Sequence, residues 1–191
     1  MSPAACRTIR WTPWNEHDRG LEHLLLGAHV ADSVVLALDE ERRPFRLMYR
    51  LAWDQAWRIE SADLVVTTER TTRRLSLQTE GDGLWRHRDG PPLDALSGCL
   101  DVDIWPTPFT NTFPLRRQPL AVGERRELRV AWISAPELSV VPAPQAYTRL
   151  AERLYLFESL DGSGFRAELP VDEDGVVLDY PGLFRRLAAT P

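Results

Sequence analysis

Apolar residues recur at every second position along most of this chain, and that constrains its fold more than any other feature. In "FRLMYRLAW", Phe45, Leu47, Tyr49, Leu51 and Trp53 fall on one side, and Arg46, Met48 and Arg50 on the other. A period of two is the signature of a strand with one buried face, and it cannot place those residues on one face of a helix. "TRRLSLQTE" repeats it, with Leu75 and Leu77 opposite Arg74, Ser76 and Gln78. "RELRVAWIS" sets Leu128, Val130 and Trp132 on one face, while Ala131 and Ile133 make the other apolar as well. "GFRAELPVD" and "GVVLDYPG" are shorter candidates. Turn signals separate the runs: "EGDG" at 80–83, "RDGPP" at 88–92, "VGE" at 122–124, "DGSG" at 161–164 and "DEDG" at 172–175. Many strands with short punctuation predict an antiparallel sheet, closed or folded on itself.

Two segments depart from the alternation. "QAYTRLAERLYLFE" carries Tyr147, Leu150, Ala151, Leu154 and Tyr155 at helical spacing, which predicts an amphipathic helix. "EHDRGLEHLLLG" reads either as a short helix broken at Gly20 or as a strand from Leu21 onward. No internal repeat, low-complexity tract or linker interrupts the chain, so residues 1–191 are expected to form one domain.

Composition narrows the chemistry. Of the residues, 43% are hydrophobic and seven are Trp, enough for a folded core. No apolar run is long enough for a transmembrane helix. The net charge of -5 gives no reason to expect nucleic acid. All 23 basic residues are arginine, so Schiff-base chemistry, a phosphate-loop lysine and a lysine general base are excluded. Cys6 and Cys99 read as reduced thiols, and no zinc motif or other metal or cofactor signature appears. "SPAAC" at 2–6 has a faint likeness to a lipoprotein processing site, but no charged leader and apolar stretch precede it, and the expected location is cytoplasmic.

The most unusual passage is "SGCLDVDIWPTPFTNTFPLRR" at 97–117. A strand over 98–105 places Cys99, Asp101, Asp103 and Trp105 on one face and Leu100, Val102 and Ile104 on the other, with the aspartates leaving the backbone about 7 Å apart. Pro106, Pro108 and Pro114 then limit any helix to a short one. Thr107 is a fitting cap, with Pro108 in the first helical position. Phe109 and Phe113, four apart, form an apolar stripe beside the polar Thr110, Asn111 and Thr112. The pattern suits either a cavity for a neutral amphipathic ligand or an interior turn that satisfies its own backbone.

"GCLDVDIWPTPFTNTFPLRR", "VAWISAPELSVVPAPQAYTRL", "LYLFES" and "VDEDGVVLDYPGLFRR", with "YRLAWDQAWRI" before them, resemble the bacterial putative glycolipid-binding family. The resemblance spans most of the chain. It implies a mainly β fold: an antiparallel, many-stranded spiral β-roll wrapped around one short helix, similar to lipoprotein-localisation carriers and forming a homodimer. "TPFTNTFP" becomes the enclosed helix, and "QAYTRLAERLYLFE" becomes strands, against its periodicity.

On that picture the first function is non-enzymatic binding or carriage of a lipid or glycolipid in the concave face of the roll. Asp101, Asp103, Thr110, Asn111, Arg116 and Arg117 are expected at its polar end, with Gln145, Tyr147, Asp179 and Tyr180 as further candidates. Arginine suits a phosphate or carboxylate, and Asn and Asp suit sugar hydroxyls. Trp53, Trp57, Trp85 and Trp132 are candidates to stack on a sugar or line an acyl groove, and equally fill a core. The same motif has a structural reading, in which Asp101 or Asp103 pairs with Arg116 or Arg117. The alternatives are a hydrolase using Asp101 and Asp103 as acid and base, or a homodimeric interaction protein. Neighbours on one strand point in parallel, a poor geometry for gripping a bond from two sides. No nucleophile elbow surrounds Ser97, Ser134 or Ser139, and His17, His23, His29 and His87 lack ligand spacing.

Overall fold

The computed structural model describes residues 6–15, 19–80 and 83–188. His17, residues 2–5 of "SPAAC", the start of "EHDRG" at 16–18 and positions 81–82 of the "EGDG" turn lie outside the described residues.

Among the described residues, fourteen strands form two sheets. The larger begins with β1 (Arg7–Pro13), β2 (Leu21–Leu26), β3 (Val30–Leu38), β4 (Pro44–Trp53), β5 (Ile59–Thr68), β6 (Thr72–Gln78) and β7 (Arg86–His87) in antiparallel succession. The smaller contains β8 (Asp101–Trp105), β9 (Arg125–Ser134), β10 (Ser139–Ala151), β11 (Leu154–Ser159) and β12 (Arg166–Pro170). The chain then returns to the first sheet through β13 (Asp179–Tyr180) and β14 (Phe184–Arg186), and β14 pairs with β1. The end of the chain is thereby laid against its beginning.

The alternation sets which face is inward. In β4, Phe45, Leu47, Tyr49, Leu51 and Trp53 are all buried, and Met48 stays outside. Their partners Leu64 and Val66 on β5, and Leu75 and Leu77 on β6, extend the same buried surface. Hairpin turns are fixed by aspartate: Asp39 Oδ1 accepts the N–H groups of Glu41 and Arg43, and Asp54 Oδ1 those of Ala56 and Arg58. Both loops place a non-glycine residue at positive φ, Arg42 at 63° and Trp57 at 61°. For Trp57 the left-handed backbone, which costs about 1 kcal/mol, is offset by stacking on Trp53 at 5.2 Å. Where β2 begins, Gly20 allows the chain to pass close to β3, because a Cβ there would lie 2.7 Å from the Leu36 carbonyl oxygen.

The proline-bounded segment is enclosed. A 3-10 turn over Phe109–Asn111 runs into α1 (Thr112–Arg117), and Thr107 Oγ1 accepts the Phe109 N–H at 3.1 Å, as its capping role requires. Phe109 and Phe113 are fully buried and pack edge to face at 5.5 Å. Phe113 also meets Trp53 and Trp57, so the short helix plugs the concave side of the large sheet. A second apolar cluster lies under the small sheet, built from Leu115, Tyr147, Tyr155, Phe157, Leu169 and Tyr180 among others. Phe184 packs against both.

Three readings are resolved by the structure. The helical spacing of "QAYTRLAERLYLFE" does not make a helix: it is the β10–β11 hairpin, as the family resemblance implies, with a register shift between Arg149 and Ala151. The ambiguous "LEHLLL" is strand β2. The strand read over 98–105 spans Asp101–Trp105 and runs parallel to β9, in a fold whose other strand pairs are antiparallel.

Candidate functional site

Strand β8 brings Asp101 and Asp103 to the junction of the plug and the small sheet, but gives them different partners. Asp101, fully buried, accepts two hydrogen bonds from Arg117 at the end of α1: Nε to Oδ1 at 2.9 Å and Nη2 to Oδ2 at 2.6 Å. Arg117 itself is 8% exposed, so the two form a buried bidentate ion pair. Burial pushes the Asp101 carboxyl up, and Arg117 pulls it back. Asp101 and Arg117 therefore anchor the helix to the sheet.

Among the described residues, Asp103 meets no cation. Its Oδ1 accepts the Thr110 hydroxyl at 2.9 Å and its Oδ2 the Gln145 side-chain N–H at 2.6 Å. Burial raises its pKa, against the lowering effect of Gln145 and Thr110. Thr110 Oγ1 also accepts the Ile104 N–H at 3.2 Å, which ties the plug to β8. Among the described residues, the remaining oxygen of Gln145, Oε1, is buried without a hydrogen-bond partner.

A cavity of about 500 Å³ opens over Asp103. Asp103, Thr107, Asn111, Gln145 and Tyr180 supply its polar surface, with Ser159, Asp161 and Ser163 as further polar lining. Its walls are apolar: Ile104, Trp105, Trp132, Val141, Phe157, Phe165 and Phe184. The aromatic walls form a chain of contacts, from Phe157 to Tyr180 at 6.0 Å, Tyr180 to Phe184 at 6.3 Å, and Phe184 to Trp105 at 5.7 Å. Burial, with the neighbouring Asp103 charge, pushes the Tyr180 hydroxyl's pKa up. Among the described residues no arginine lines this cavity.

The opening has a cause in the sequence. β10 pairs with β9 from Ser139 to Thr148, but with β11 only from Gln145 onward. Pro142 and Pro144 lie in the part flanked by β9 alone, and the Pro144 carbonyl accepts the Leu160 N–H on the side away from β9. Prolines two apart present their missing N–H to that same edge. The small sheet therefore stops growing there, and Val141 to Pro144, paired with β9 alone, become a wall of the cavity together with Gln145.

The expected residues divide. Asp103, Asn111, Gln145 and Tyr180 converge on the cavity. Asp101, Thr110, Arg117 and Tyr147 stand behind it, holding the plug; the Tyr147 hydroxyl donates to Asn111 Oδ1 at 2.8 Å, and Asn111 Nδ2 donates to the Pro108 carbonyl at 3.0 Å. Arg116 lies over the Trp57 ring at 5.0 Å, not at the polar end. Asp179 belongs to β13 and faces a different groove, with Arg10 and Arg186. Of the tryptophans, Trp132 lines the cavity, whereas Trp53 and Trp85 are core and Trp57 packs against it. Sequence reasoning missed Phe165, Phe184 and the Ser159–Ser163 segment, whose "DGSG" signalled only a turn. No cluster of three or more His, Cys, Asp and Glu able to hold a metal occurs among the described residues, and no helix there is long and apolar enough to cross a membrane.

Comparison with known proteins agrees with this architecture. The model of a family described as "Putative glycolipid-binding" matches residues 8–186. A DUF1089 family protein from Pseudomonas aeruginosa, solved by crystallography, is 48% identical and superposes with a TM-score of 0.87, covering 91% of this chain and 95% of its own. No curated protein matches.

Proposed function

The chain belongs to the family described as "Putative glycolipid-binding", and from that premise we propose that it binds or carries a lipid with an uncharged, hydroxyl-rich head group, held in the cavity over Asp103. The observation that supports this reading is the cavity's polarity. Its polar lining includes a carboxylate and the Gln145 side chain, whose Oε1 is unpartnered; neither meets a cation among the described residues, and both accept hydrogen bonds. Sugar hydroxyls supply donors to such a surface. A phosphate or carboxylate head would face Asp103 with no arginine to meet it. The aromatic walls fit a sugar face or an alkyl chain, and about 500 Å³ lies within the range of small-molecule sites.

The acid–base reading receives less from the geometry, because Asp101 is committed to Arg117 and only Asp103 faces the cavity. Cytoplasmic residence and a homodimer belong to the same proposal; cell fractionation and sedimentation velocity decide them.

Calorimetric titration with monomeric octyl glucoside and with an anionic lysophospholipid tests the reading. The glucoside is expected to bind and the anionic lipid to bind at least tenfold more weakly. Asp103→Asn should weaken the glucoside about tenfold, the loss of one hydrogen bond to a charged group, with the melting temperature nearly unchanged. Equal binding of both lipids, or an Asp103→Asn protein that binds the glucoside normally, refutes it.

A further inference from the structure

A second buried carboxyl lies outside that site. Phase alone puts Glu22 inward: on β2, Glu22 and Leu24 are buried while Leu21, His23 and Leu25 face out. Glu22 is 3% exposed. Its Oε1 accepts both the Ser33 hydroxyl at 2.8 Å and the Tyr49 hydroxyl at 2.5 Å. Each hydroxyl has one proton, and the shortest contact of each is to that oxygen, with the His23 carbonyl 3.3 Å from Ser33 Oγ. Oε2 is buried with no hydrogen-bond partner among the described residues.

Glu22 lines a cavity of about 290 Å³ at the ends of β1, β2 and β3. Trp11, Pro13, Val35, Trp105, Pro106 and Phe184 give it an apolar wall, and Thr12, Arg19, Asp39 and Arg42 also line it. At about 30 Å³ per non-hydrogen atom, as in liquid water, this volume holds roughly ten such atoms. An orphaned acceptor beside an apolar wall calls for a ligand with one hydrogen-bond donor on a short hydrocarbon body. An ammonium would supply a donor too, but Arg19 and Arg42 already set two cations in the lining against the two carboxyls of Glu22 and Asp39, which disfavours a third.

We propose that this cavity is a second ligand site, separate from the one over Asp103, which takes a medium-chain aliphatic alcohol whose hydroxyl donates to Glu22 Oε2. The site stands on its own walls and its own polar group, so it does not depend on the lipid-head reading. Trp105 and Phe184 are shared by both cavities, whereas Trp11 lines only this one and Trp132 lines only the other of the two.

That difference supplies the readout. Indole N–H resonances of the full-length protein are followed at pH 8.5, where Glu22 is ionised, during titration with octan-1-ol and with octan-2-one, which accepts but cannot donate. Octan-1-ol is expected to shift Trp11 and Trp105 saturably, with octan-2-one at least tenfold weaker. In Glu22→Gln the side-chain amide presents an N–H where Oε2 stood, so the preference for the alcohol should shrink to within about twofold or reverse. Equal binding of alcohol and ketone to the unmodified protein, or an alcohol preference that survives Glu22→Gln, overturns the proposal. Shifts at Trp132 without Trp11 also overturn it and leave the reading of the Asp103 cavity intact.

Discussion

Glu22→Gln should make the protein more stable, and by an amount that grows with pH. Burial lifts the Glu22 carboxyl from its ordinary 4.5 to about 7, even though the neighbouring Tyr49, Thr107 and Ser33 hydroxyls favour its ionised form. Between those two values the folded chain holds a proton that the unfolded chain has released, so stability falls as pH rises through the window. At about 1.4 kcal/mol for each tenfold in the proton equilibrium, the total is about 3 kcal/mol, present above pH 7 and absent below pH 4.5. Glutamine keeps the shape, keeps an oxygen for the Ser33 and Tyr49 hydroxyls, and cannot ionise. Urea unfolding followed by tryptophan fluorescence at half-unit steps from pH 4.5 to 8.5 should therefore give two curves that coincide at the acid end and separate by about 3 kcal/mol at the alkaline end, the variant above. The subtraction cancels the other titrating groups, among them Asp101 and Asp103, both also raised by burial. Curves that run parallel, or a variant that loses ground as pH rises, refute the assignment of a neutral buried carboxyl at this position.

Two further perturbations separate anchor from pocket. Arg117→Met leaves Asp101 buried and unpaired and should cost roughly 3–5 kcal/mol in urea unfolding; adding Asp101→Leu should recover most of that, and a single variant costing under about 1 kcal/mol argues against the pair as the helix anchor. Phe113→Ala removes the ring that meets Trp53, Trp57 and Phe109 and should cost about 3–5 kcal/mol, with loss of near-ultraviolet circular dichroism from the stacked indoles; an unchanged signal means the plug does not order that cluster.

Much of this fold was legible because its signals are local. The alternation in β4 predicts its five inward residues, but Pro114, expected to bound the short helix, lies inside α1, which follows the 3-10 turn over Phe109–Asn111. Thr107 caps it as its position predicts. The β10–β11 hairpin was masked by a register shift between Arg149 and Ala151, which breaks the period of two and leaves Tyr147, Leu150, Ala151 and Leu154 at a spacing that imitates a helix. The parallel pairing of β8 with β9 has no local signal at all, since the helix and loop between them fix the direction. The two aspartates shared a face as spaced, but their partners, Arg117 and Gln145, come from segments 16 and 42 residues away, and only the assembled fold could assign one to anchoring and one to the cavity. Glu22 could have been found: in "LEHLLL" its phase matches Leu24, which puts a carboxylate on the buried face.

Both cavities exist where regular pairing is interrupted, and the plug sits at the boundary between them. Pro142 and Pro144 end the pairing of β10 beside the larger one. The smaller lies at the ends of β1 to β3, against the Trp105–Pro106 step that leads into the helix. Thr107 follows that step. Its hydroxyl caps the plug, lines the larger cavity and lies 3.3 Å from the Tyr49 hydroxyl that donates to Glu22. A single hydroxyl thus belongs to the helix cap, to the cavity over Asp103 and to the hydrogen-bonded group around Glu22. Moving Thr107 to suit a ligand on one side must disturb a hydrogen bond on the other, so the two cavities share one mechanical element while keeping separate polar chemistry. The Asp101–Arg117 pair at the far end of the same short helix opposes such movement, which gives a buried ion pair of modest net stability a reason to be there.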